Sequence, residues 1–282
     1  MIEVVRPGPL ATVQDLGRHG RAHLGVPSSG AADTRAHRLA NRLVGNPESA
    51  AEVELTLGGA ALRFHRPAWV AVTGAPVPVR VDGLSYGTNA PCHVPEDALV
   101  EFGTPRSGLR SYLSVRGGVV VDDVLGSRST DLLSGLGPAP LSSGDRLAMG
   151  ATKGLGDILV DVAPVPSIPE TPVLRIIAGP RDDWFTDDAL TTLTSASYVV
   201  SPDSNRVGVR LDGPPLNRVR DGELHSEGMV TGSLQVPPSG MPIIFLADHP
   251  TTGGYPVVAV LASCAVADAA QLRPGQSVRF RL

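Results

Sequence analysis

Apolar and polar residues alternate with a period of two along much of this chain. The alternation is clearest in residues 77–82, 206–212 and 277–282, where valine, leucine or phenylalanine occupies every second position. Successive side chains of a β-strand point to opposite faces of the sheet. The pattern therefore predicts strands that place one face on a core and the other in water, as in antiparallel sheets.

Short continuous apolar runs predict additional, more deeply buried strands. These runs lie at residues 69–72, 158–162, 173–177 and 243–246. Each is four or five residues long, which suits a strand better than a helix. Together with the alternating segments, they predict a mainly β protein.

Helical signals are few and short. The strongest is an apolar stripe on one helix face, formed by Ala32, Ala36, Leu39, Ala40 and Leu43. Gly45 and Pro47 end this predicted helix. A second short helix is expected after Thr186, its predicted N-cap, and a third over residues 265–272.

A proline-rich segment marks the expected domain boundary. Residues 163–172 contain four prolines, which stiffen and extend a chain. Because strand patterns occur on both sides, we expect an N-terminal domain over residues 1–165 and a C-terminal domain over residues 171–282. Both are predicted to be rich in strands.

Composition and charge narrow the class of protein. The 282 residues include 32 glycines and 26 prolines, while charged residues make up 18%, which favours strands joined by tight turns. The net charge is −4 and no basic run occurs, so a nucleic-acid partner is not expected. No apolar run is long enough to span a membrane, and two cysteines form no disulfide framework, so we expect a cytoplasmic protein.

Several familiar catalytic motifs are absent from the sequence. It contains no phosphate-binding loop of the Walker type and no complete dinucleotide fingerprint. Lys153, the single lysine, does not lie in the setting of a biotin-carrier lysine. His19 and His23 have metal-ligand spacing, but glycines around them argue against a helix, so no metal site is predicted.

Three segments rich in glycine, proline and polar residues are candidates for a site: 13–33, 228–240 and 246–256. Such loops present fixed polar groups to a ligand. The alternative is that they only form turns, with Ser29 or Asp33 capping the helix that follows. The candidate catalytic residues are Asp15, Arg18, Asp33, Glu227 and Asp248. The candidate substrate-binding residues are Gln14, Ser28, Ser29, Ser226, Gln235, Ser239, Thr252 and Tyr255.

Three features carry a resemblance to a known family: these segments, the run from Gly8 to Arg18, and the motif Asp248-His-Pro-Thr-Thr-Gly-Gly-Tyr-Pro256. They resemble the allophanate hydrolase subunit 2 family. The family is also called the biotin-dependent carboxyltransferase or Kip-antagonist family, and it includes the C subunit of 5-oxoprolinase. The resemblance extends from residue 3 to residue 282. It implies two cyclophilin-like β-barrel domains with a few short helices.

The resemblance also implies a function that depends on other chains. The preferred interpretation is a hydrolase subunit that, with ATP, opens the cyclic amide of 5-oxoproline to glutamate. Its implied partners are a Kip-inhibitor-like protein, of the allophanate hydrolase subunit 1 type, and a lactam-utilisation subunit. One alternative is transfer of a carboxyl group from carboxybiotin to urea or a related amide, with biotin carried by another protein. The other is a non-enzymatic regulator that antagonises a kinase inhibitor.

Amide activation sets the chemical roles expected of the site. Donors must stabilise charge on oxygen, for which Arg18 and Gln235 are candidates, and a carboxylate must handle a proton. We therefore expect residues 14–18 and 28–33 to converge with 235–240 and 248–255. As a polar loop residue, Arg18 is expected to be replaceable by alanine without loss of the fold.

Overall fold

The computed structural model describes residues 1–220, 222 and 224–282. Strands dominate these residues and the helices among them are short, which confirms the expected mainly β fold. The chain divides into two compact units. The first comprises Met1–Arg18, Asp33–Asp131 and Gly135–Ser167, and the second His19–Ala32, Leu132–Ser134 and Ile168–Leu282. The domain limits expected from the sequence stay a prediction, and residues 19–32 and 132–134 group with the second unit.

The first unit, every residue of which is described, contains twelve strands and one helix, α1 (Thr34–Leu43). The strands are β1 (Ile2–Arg6), β2 (Leu10–Gln14), β3 (Glu52–Thr56), β4 (Ala61–Phe64), β5 (Ala68–Gly74), β6 (Val79–Val81), β7 (Leu84–Tyr86), β8 (Pro91–Val94), β9 (Leu99–Phe102), β10 (Arg110–Val115), β11 (Val119–Val120) and β12 (Arg146–Met149).

These strands form two antiparallel sheets that share one core. One sheet has the order β11-β12-β1-β4-β9-β6-β7 and the other β2-β3-β10-β5-β8. Apolar side chains from both sheets join in a single buried cluster that includes Ile2, Val53, Phe64 and Leu113. Burial of these side chains removes apolar surface from water and is the main stabilising contribution to the unit.

The opposite face of the β2-β3-β10-β5-β8 sheet is polar, yet it is buried as well. Glu52 and Glu54 alternate with Val53 and Leu55 along β3, and all four are at most 2% exposed. α1 packs against β5 and β10 on this sheet. The hydroxyl of Thr73 on β5 donates to the carbonyl of Ala36 on α1. A face that alternation predicts to be solvated is therefore covered by a helix.

α1 ends where the sequence predicts, but it begins after Asp33, so Ala32 of the predicted stripe lies before the helix. The Asp33 carboxylate accepts from the backbone N–H of Ala36 at 3.0 Å and so caps the helix. Gly45, at φ 70°, lies just beyond the helix end. Its buried face carries His37 and Asn41 as well as the expected apolar residues, because it lies against polar strand residues.

His37 and Glu52 form a buried pair between α1 and β3. Nδ1 of His37 lies 2.7 Å from a Glu52 carboxyl oxygen, and both side chains are fully buried. Nε2 of His37 lies 3.0 Å from the Glu48 carbonyl, which only accepts, so Nε2 carries a hydrogen. The remaining contact between Nδ1 and Glu52 therefore needs one proton, held by either partner.

Both members of the pair retain protons to higher pH than usual. Burial raises the pKa of Glu52 to about 7, against the opposing attraction of His37. Burial acts to lower the pKa of His37, but the charge and hydrogen bond of Glu52 outweigh it and raise that pKa. The folded protein thus binds more protons here than the unfolded chain.

In the second unit, the described residues form helices α2 (Ala189–Ser195) and α3 (Ser263–Ala269) and nine strands. The strands are β13 (Val173–Ala178), β14 (Tyr198–Val200), β15 (Gly208–Asp212), β16 (Glu227–Gly228), β17 (Ser233–Gln235), β18 (Ile243–Phe245), β19 (Thr252–Gly253), β20 (Val257–Leu261) and β21 (Ser277–Arg281).

A closed barrel is the centre of this unit, with the strand order β13-β20-β17-β18-β15-β14-β21. β13 and β21 pair in parallel and close the barrel, while its other pairings are antiparallel. Leu174, Leu234, Ile244 and Phe280 lie in its buried core. β16 and β19 form a separate two-stranded ribbon.

Three expectations of local structure are wrong. Residues 158–162 form no strand, because no strand of the fully described first unit pairs with them. Leu159 in this run is 86% exposed. The apolar run 173–177 does form a strand, but the expectation that it is deeply buried is wrong, because Val173 and Ile177 are exposed. Asp188, not Thr186, occupies the N-cap of α2, and its side chain makes no capping bond.

Within the part of the chain that the structure describes, no helix is long and apolar enough to cross a membrane.

The His37–Glu52 pair predicts a pH dependence of stability. The pKa of Glu52 is higher in the folded protein than in the unfolded chain, so protonation of Glu52 stabilises the fold. This stabilisation is complete below pH 4.5, the ordinary pKa of glutamate, and is lost as the pH rises through about 7. Glu52→Gln keeps the shape of the pair and removes the titrating carboxyl. We expect its free energy of unfolding, measured by urea denaturation, to fall less than that of the wild type between about pH 5 and pH 8.

Glu101→Gln is the matched control, because Glu101 is an exposed carboxylate of the same unit. Its unfolding free energy should follow the wild-type pH profile. Parallel profiles for Glu52→Gln and the wild type would contradict the assignment.

Candidate functional site

Asp15, directly after β2, holds a loop of the first unit. Its carboxylate accepts from the hydroxyls of Ser127 and Ser129 at 2.6 and 2.5 Å, and from the backbone N–H groups of Arg128 and Gly17 at 2.7 and 2.8 Å. Burial acts to raise the pKa of Asp15, but these hydrogen bonds outweigh it and lower that pKa. Asp15 is therefore an ionised, fully engaged acceptor and a poor proton shuttle.

Arg18 and Gln14 contact the same loop. Arg18 is 1% exposed and donates to the carbonyls of Val124 and Ser129. Gln14 donates through Nε2 to the carbonyl of Thr130 at 3.0 Å. The structure therefore brings Gln14, Asp15 and Arg18 together. Arg18 is buried against backbone carbonyls, so the premise that it is a solvated loop residue is wrong. Arg18→Ala is therefore expected to destabilise the loop.

Asp33 occupies a structural position. It is 2% exposed, and one of its carboxylate oxygens caps α1. Its backbone N–H donates to the Tyr112 hydroxyl at 2.7 Å, and that hydroxyl donates to Glu54 at 2.8 Å. Of the two alternatives left open by the sequence, the helix cap is the geometry observed.

Asp248 is the centre of a buried cluster in the second unit, which we term the Asp248 clamp and which comprises Ser29, Gly30, Leu132, Arg206 and Asp248. Arg206 binds the carboxylate with two nitrogens, at 2.9 and 3.1 Å. The Ser29 hydroxyl donates to it at 2.7 Å and the Leu132 N–H at 3.1 Å. Arg206 also donates to the Gly30 carbonyl at 2.5 Å.

The clamp gathers distant parts of the sequence around one carboxylate. It brings Ser29 and Asp248 together, as the proposed convergence of their segments requires. Yet Asp248 is fully buried and both of its oxygens are engaged, so its role here is structural. Arg206 was not predicted from the sequence, because an arginine at the start of an alternating strand is usually solvated.

Glu227 lies in a more open arrangement, the Glu227 group, which comprises Arg181, Ser226, Glu227, Gln235, Thr252 and Tyr255. β16 places Glu227 opposite Gly253 of β19. Glu227 forms a two-bond ion pair with Arg181, and their side chains are 28% and 37% exposed. Gln235 donates to the Tyr255 carbonyl at 3.1 Å.

Gly253 permits the close approach of these elements. A Cβ at this position would lie 2.5 Å from Nε2 of Gln235. The ribbon can therefore lie directly against β17. Ser226 and Thr252 are exposed and Tyr255 is half-buried. Thr252 lies opposite Gly228 in the ribbon, so its side chain points away from the face of Glu227. That face presents the Glu227 carboxylate and its partner, the Arg181 guanidinium, to solvent.

The Arg181 hydrogen bond holds the pKa of Glu227 below its ordinary value. Glu227 is therefore ionised at neutral pH, and it can accept a proton once a ligand draws the Arg181 guanidinium away. Arg181, which no sequence motif pointed to, is able to donate to a ligand oxygen through its remaining N–H groups.

Two predicted residues lie outside these clusters. Ser28 is half-buried, and Ser239 is exposed in a turn, where its hydroxyl accepts from the Met241 N–H at 3.4 Å. Among the described residues, no group of three or more His, Cys, Asp or Glu side chains is arranged to hold a metal ion.

The sequence and fold match known proteins over almost the whole chain. A family profile described as "Carboxyltransferase domain, subdomain A and B" matches residues 24–282. The C subunit of 5-oxoprolinase from Escherichia coli (strain K12) is 36% identical over 99% of this chain and 90% of that protein. Urea amidolyase of Saccharomyces cerevisiae is 32% identical over 99% of this chain and 16% of that protein.

Solved structures show the same fold. The crystal structure of TTHA0988 superposes with a TM-score of 0.91 at 34% identity, covering 100% of this chain and 55% of that chain. The Kluyveromyces lactis urea amidolyase gives a TM-score of 0.92 at 31% identity, covering 99% of this chain and 18% of that chain. The chain thus spans about half of TTHA0988 and a small part of the urea amidolyase.

The Asp248 clamp predicts a large loss of stability when one charge is removed. Asp248→Ala leaves Arg206 buried without its counter-ion, and we expect the free energy of unfolding to fall by about 3–5 kcal/mol. Arg206→Met combined with Asp248→Leu removes both charges and should be less destabilising than the single change. Urea denaturation monitored by circular dichroism measures both.

Asp183→Ala serves as the control, because the Asp183–Arg220 pair is of similar length, 2.9 Å, but about half exposed. The free energy of unfolding of this variant should fall by no more than about 1 kcal/mol. A similarly small loss for Asp248→Ala would contradict the structural role assigned to the clamp.

Proposed function

We propose, since this chain belongs to the carboxyltransferase-domain family of subdomains A and B, that it is a subunit of an ATP-dependent 5-oxoprolinase. The observation that carries this proposal is the nearly end-to-end match to the C subunit of the Escherichia coli 5-oxoprolinase, over 99% of this chain and 90% of the relative. In the urea amidolyase of Saccharomyces cerevisiae the corresponding region is 16% of a longer protein.

The proposed reaction converts 5-oxoproline, ATP and two molecules of water to glutamate, ADP and phosphate. Resonance makes the carbonyl carbon of the lactam a poor electrophile, so hydrolysis needs stabilisation of the oxygen charge and a group that takes a proton from water. The Escherichia coli relative is by name one subunit of its enzyme, so companion chains are expected. The proposed partners are a Kip-inhibitor-like protein and a lactam-utilisation subunit, with activity arising in the complex.

The Glu227 group supports this chemistry better than the other predicted residues. Asp15, Asp33 and Asp248 are engaged in hydrogen bonds that hold loops or a helix end. Glu227 and Arg181 are partly exposed and contain the two functions required. In this proposal Arg181 binds the carbonyl oxygen, and Glu227 accepts a proton from the attacking water. Glu227 returns this proton to the ring nitrogen as the C–N bond breaks.

Carboxyl transfer is the second candidate function, and it is favoured by the description of the matching profile and by the likeness to urea amidolyases. In that reaction a carboxyl group moves from carboxybiotin to an amide or ureido nitrogen, which loses a proton. Glu227 would accept this proton and pass it to the biotin nitrogen that loses the carboxyl group. Another protein would carry the biotin.

Reconstitution separates the two functions. The chain is co-expressed with the two proposed partners, and glutamate release from 5-oxoproline is measured with and without ATP. A parallel reaction contains a biotin carboxylase, a biotinylated carrier and urea. Glutamate release that depends on ATP and on this chain supports the 5-oxoprolinase function. Carboxylated urea without glutamate release supports carboxyl transfer instead.

Glu227→Gln tests the assigned acid–base residue. We expect kcat of the reconstituted enzyme to fall by about 100-fold or more, as loss of a general base implies. The fold should persist, because the side chain is partly exposed and outside the core. Turnover and the circular dichroism spectrum are measured together.

Glu101→Gln provides the comparison, since Glu101 also pairs with an arginine at the surface. That variant should retain wild-type turnover. Equal turnover of Glu227→Gln and Glu101→Gln would remove Glu227 from the catalytic machinery.

A further inference from the structure

A basic cleft of about 600 Å³ lies on the first unit. Trp69 and His93 contribute one part of its wall, and Arg66, Arg116 and Lys153 contribute its positive charges. These residues come from β5 and β8, from the position after β10, and from the loops beside β5 and β12. The volume is within the range of small-molecule sites in proteins.

Charge distinguishes the basic cleft from the rest of the chain. Its lining residues, all of them described, include three arginine or lysine side chains and no carboxylate, although the whole chain carries a net charge of −4. Arg6 and Arg42, by contrast, are paired with carboxylates. A cleft that concentrates one sign of charge attracts ions of the opposite sign, so its ligand is expected to be an anion.

Two of the cations are held in position by the backbone. Arg66 donates to the Met149 carbonyl at 2.9 Å, and Arg116 donates to the Val44 carbonyl at 2.7 Å. A guanidinium has five N–H donors, so each arginine retains others for a ligand. Lys153 is exposed in the loop after β12 and supplies a more adaptable charge.

Close backbone contact fixes the loop that carries Lys153. The N–H of Gly150 donates to the Gly118 carbonyl at 3.0 Å. A Cβ at Gly150 would lie 2.1 Å from the Gly117 carbonyl oxygen, so only glycine fits there. The two turns therefore lie against each other and set one side of the cleft before a ligand arrives.

Trp69 adds an aromatic surface to the charges. Its side chain is 41% exposed, and its ring meets the His93 ring edge to face at a centroid distance of 5.4 Å. Trp69 and His93 are cross-strand neighbours on β5 and β8, which fixes their relative position. An exposed indole beside several cations suits a ligand that combines a planar ring with multiple negative charges.

We propose that the basic cleft is a nucleoside triphosphate site, in which the base packs on Trp69 and the phosphates bind Arg66, Arg116 and Lys153. The choice of ATP as the nucleotide rests on the proposed function, whereas the binding chemistry rests on the cleft. The three cations take the part that a glycine-rich phosphate loop has in other nucleotide-binding proteins.

Direct binding to the isolated full-length chain tests this site without any assay of turnover. MgATP is titrated by calorimetry, beside adenosine and inorganic tripolyphosphate. We expect ATP to bind more tightly than either fragment, because only ATP uses both the indole and the cations. Tripolyphosphate that binds as tightly as ATP, or no binding of ATP at all, would overturn the proposal.

Three variants assign the binding to the cleft. Arg66→Gln and Lys153→Gln should each weaken ATP binding by about tenfold or more, as loss of a charge-assisted hydrogen bond implies. Arg146→Gln removes an exposed charge of the same unit outside the cleft lining and should leave the affinity unchanged. Equal effects of the three changes would indicate general charge attraction and overturn the site.

Tryptophan fluorescence locates the base. The chain has two tryptophans, so Trp69→Phe removes the reporter in the cleft and leaves Trp184. ATP should quench the wild-type emission but not that of Trp69→Phe, which still binds ATP by calorimetry. Quenching that persists in Trp69→Phe would overturn the placement of the base.

The outcomes for site and function are separable. ATP binding at the cleft in a chain whose reconstituted complex releases no glutamate would leave the site standing and reject the 5-oxoprolinase function. An ATP-dependent complex in which the isolated chain binds no nucleotide would support that function and reject this site.

Discussion

Arg206 and Asp248 are two full charges in the interior of the second unit. Removal of such charges from water costs several kcal/mol per ion, and this loss is offset only where the remaining polar atoms find partners. Here the partners are Ser29, Gly30 and Leu132, which lie far from Asp248 in the sequence. These hydrogen bonds hold Ser29, Gly30 and Leu132 within the second unit, with which residues 19–32 and 132–134 group.

The same constraint organises the polar face of the first unit. Tyr112 donates to Glu54 and accepts from the Asp33 N–H, so one hydroxyl joins β10, β3 and the start of α1. His37 and Glu52 share a proton across the same interface. Each of these groups is costly to bury alone and tolerable when paired. A precise fit of α1 to its sheet follows, because any shift would leave a buried polar atom without its partner.

Local pattern predicted much of the fold because period and turn chemistry are local properties. Alternation identified β15 and β21, and Gly45 marked the end of α1. Alternation also predicts that Glu52 and Glu54 face solvent. That prediction fails because the pattern of one strand does not show which element packs on its polar face, and here α1 covers it. Residues 158–162 have the composition of a strand but no neighbouring strand to pair with. For the site, the meeting of Ser29 with Asp248 was anticipated, whereas the burial of Asp248 by Arg206 depends on tertiary packing that no local pattern contains.

This use of charge within the fold decides where chemistry can occur. A carboxylate that accepts several buried hydrogen bonds can take up a proton only by breaking them, so groups that hold the fold together make poor acid–base catalysts. Asp15, Asp33 and Asp248 are of this kind. Glu227 is different, because its one strong partner, Arg181, is itself partly exposed, and a ligand can compete for that guanidinium. Reactive groups are therefore expected at the Glu227 group and, for phosphate, at the basic cleft. There the arginines are held by neutral carbonyls, and the described residues that line the cleft include no carboxylate.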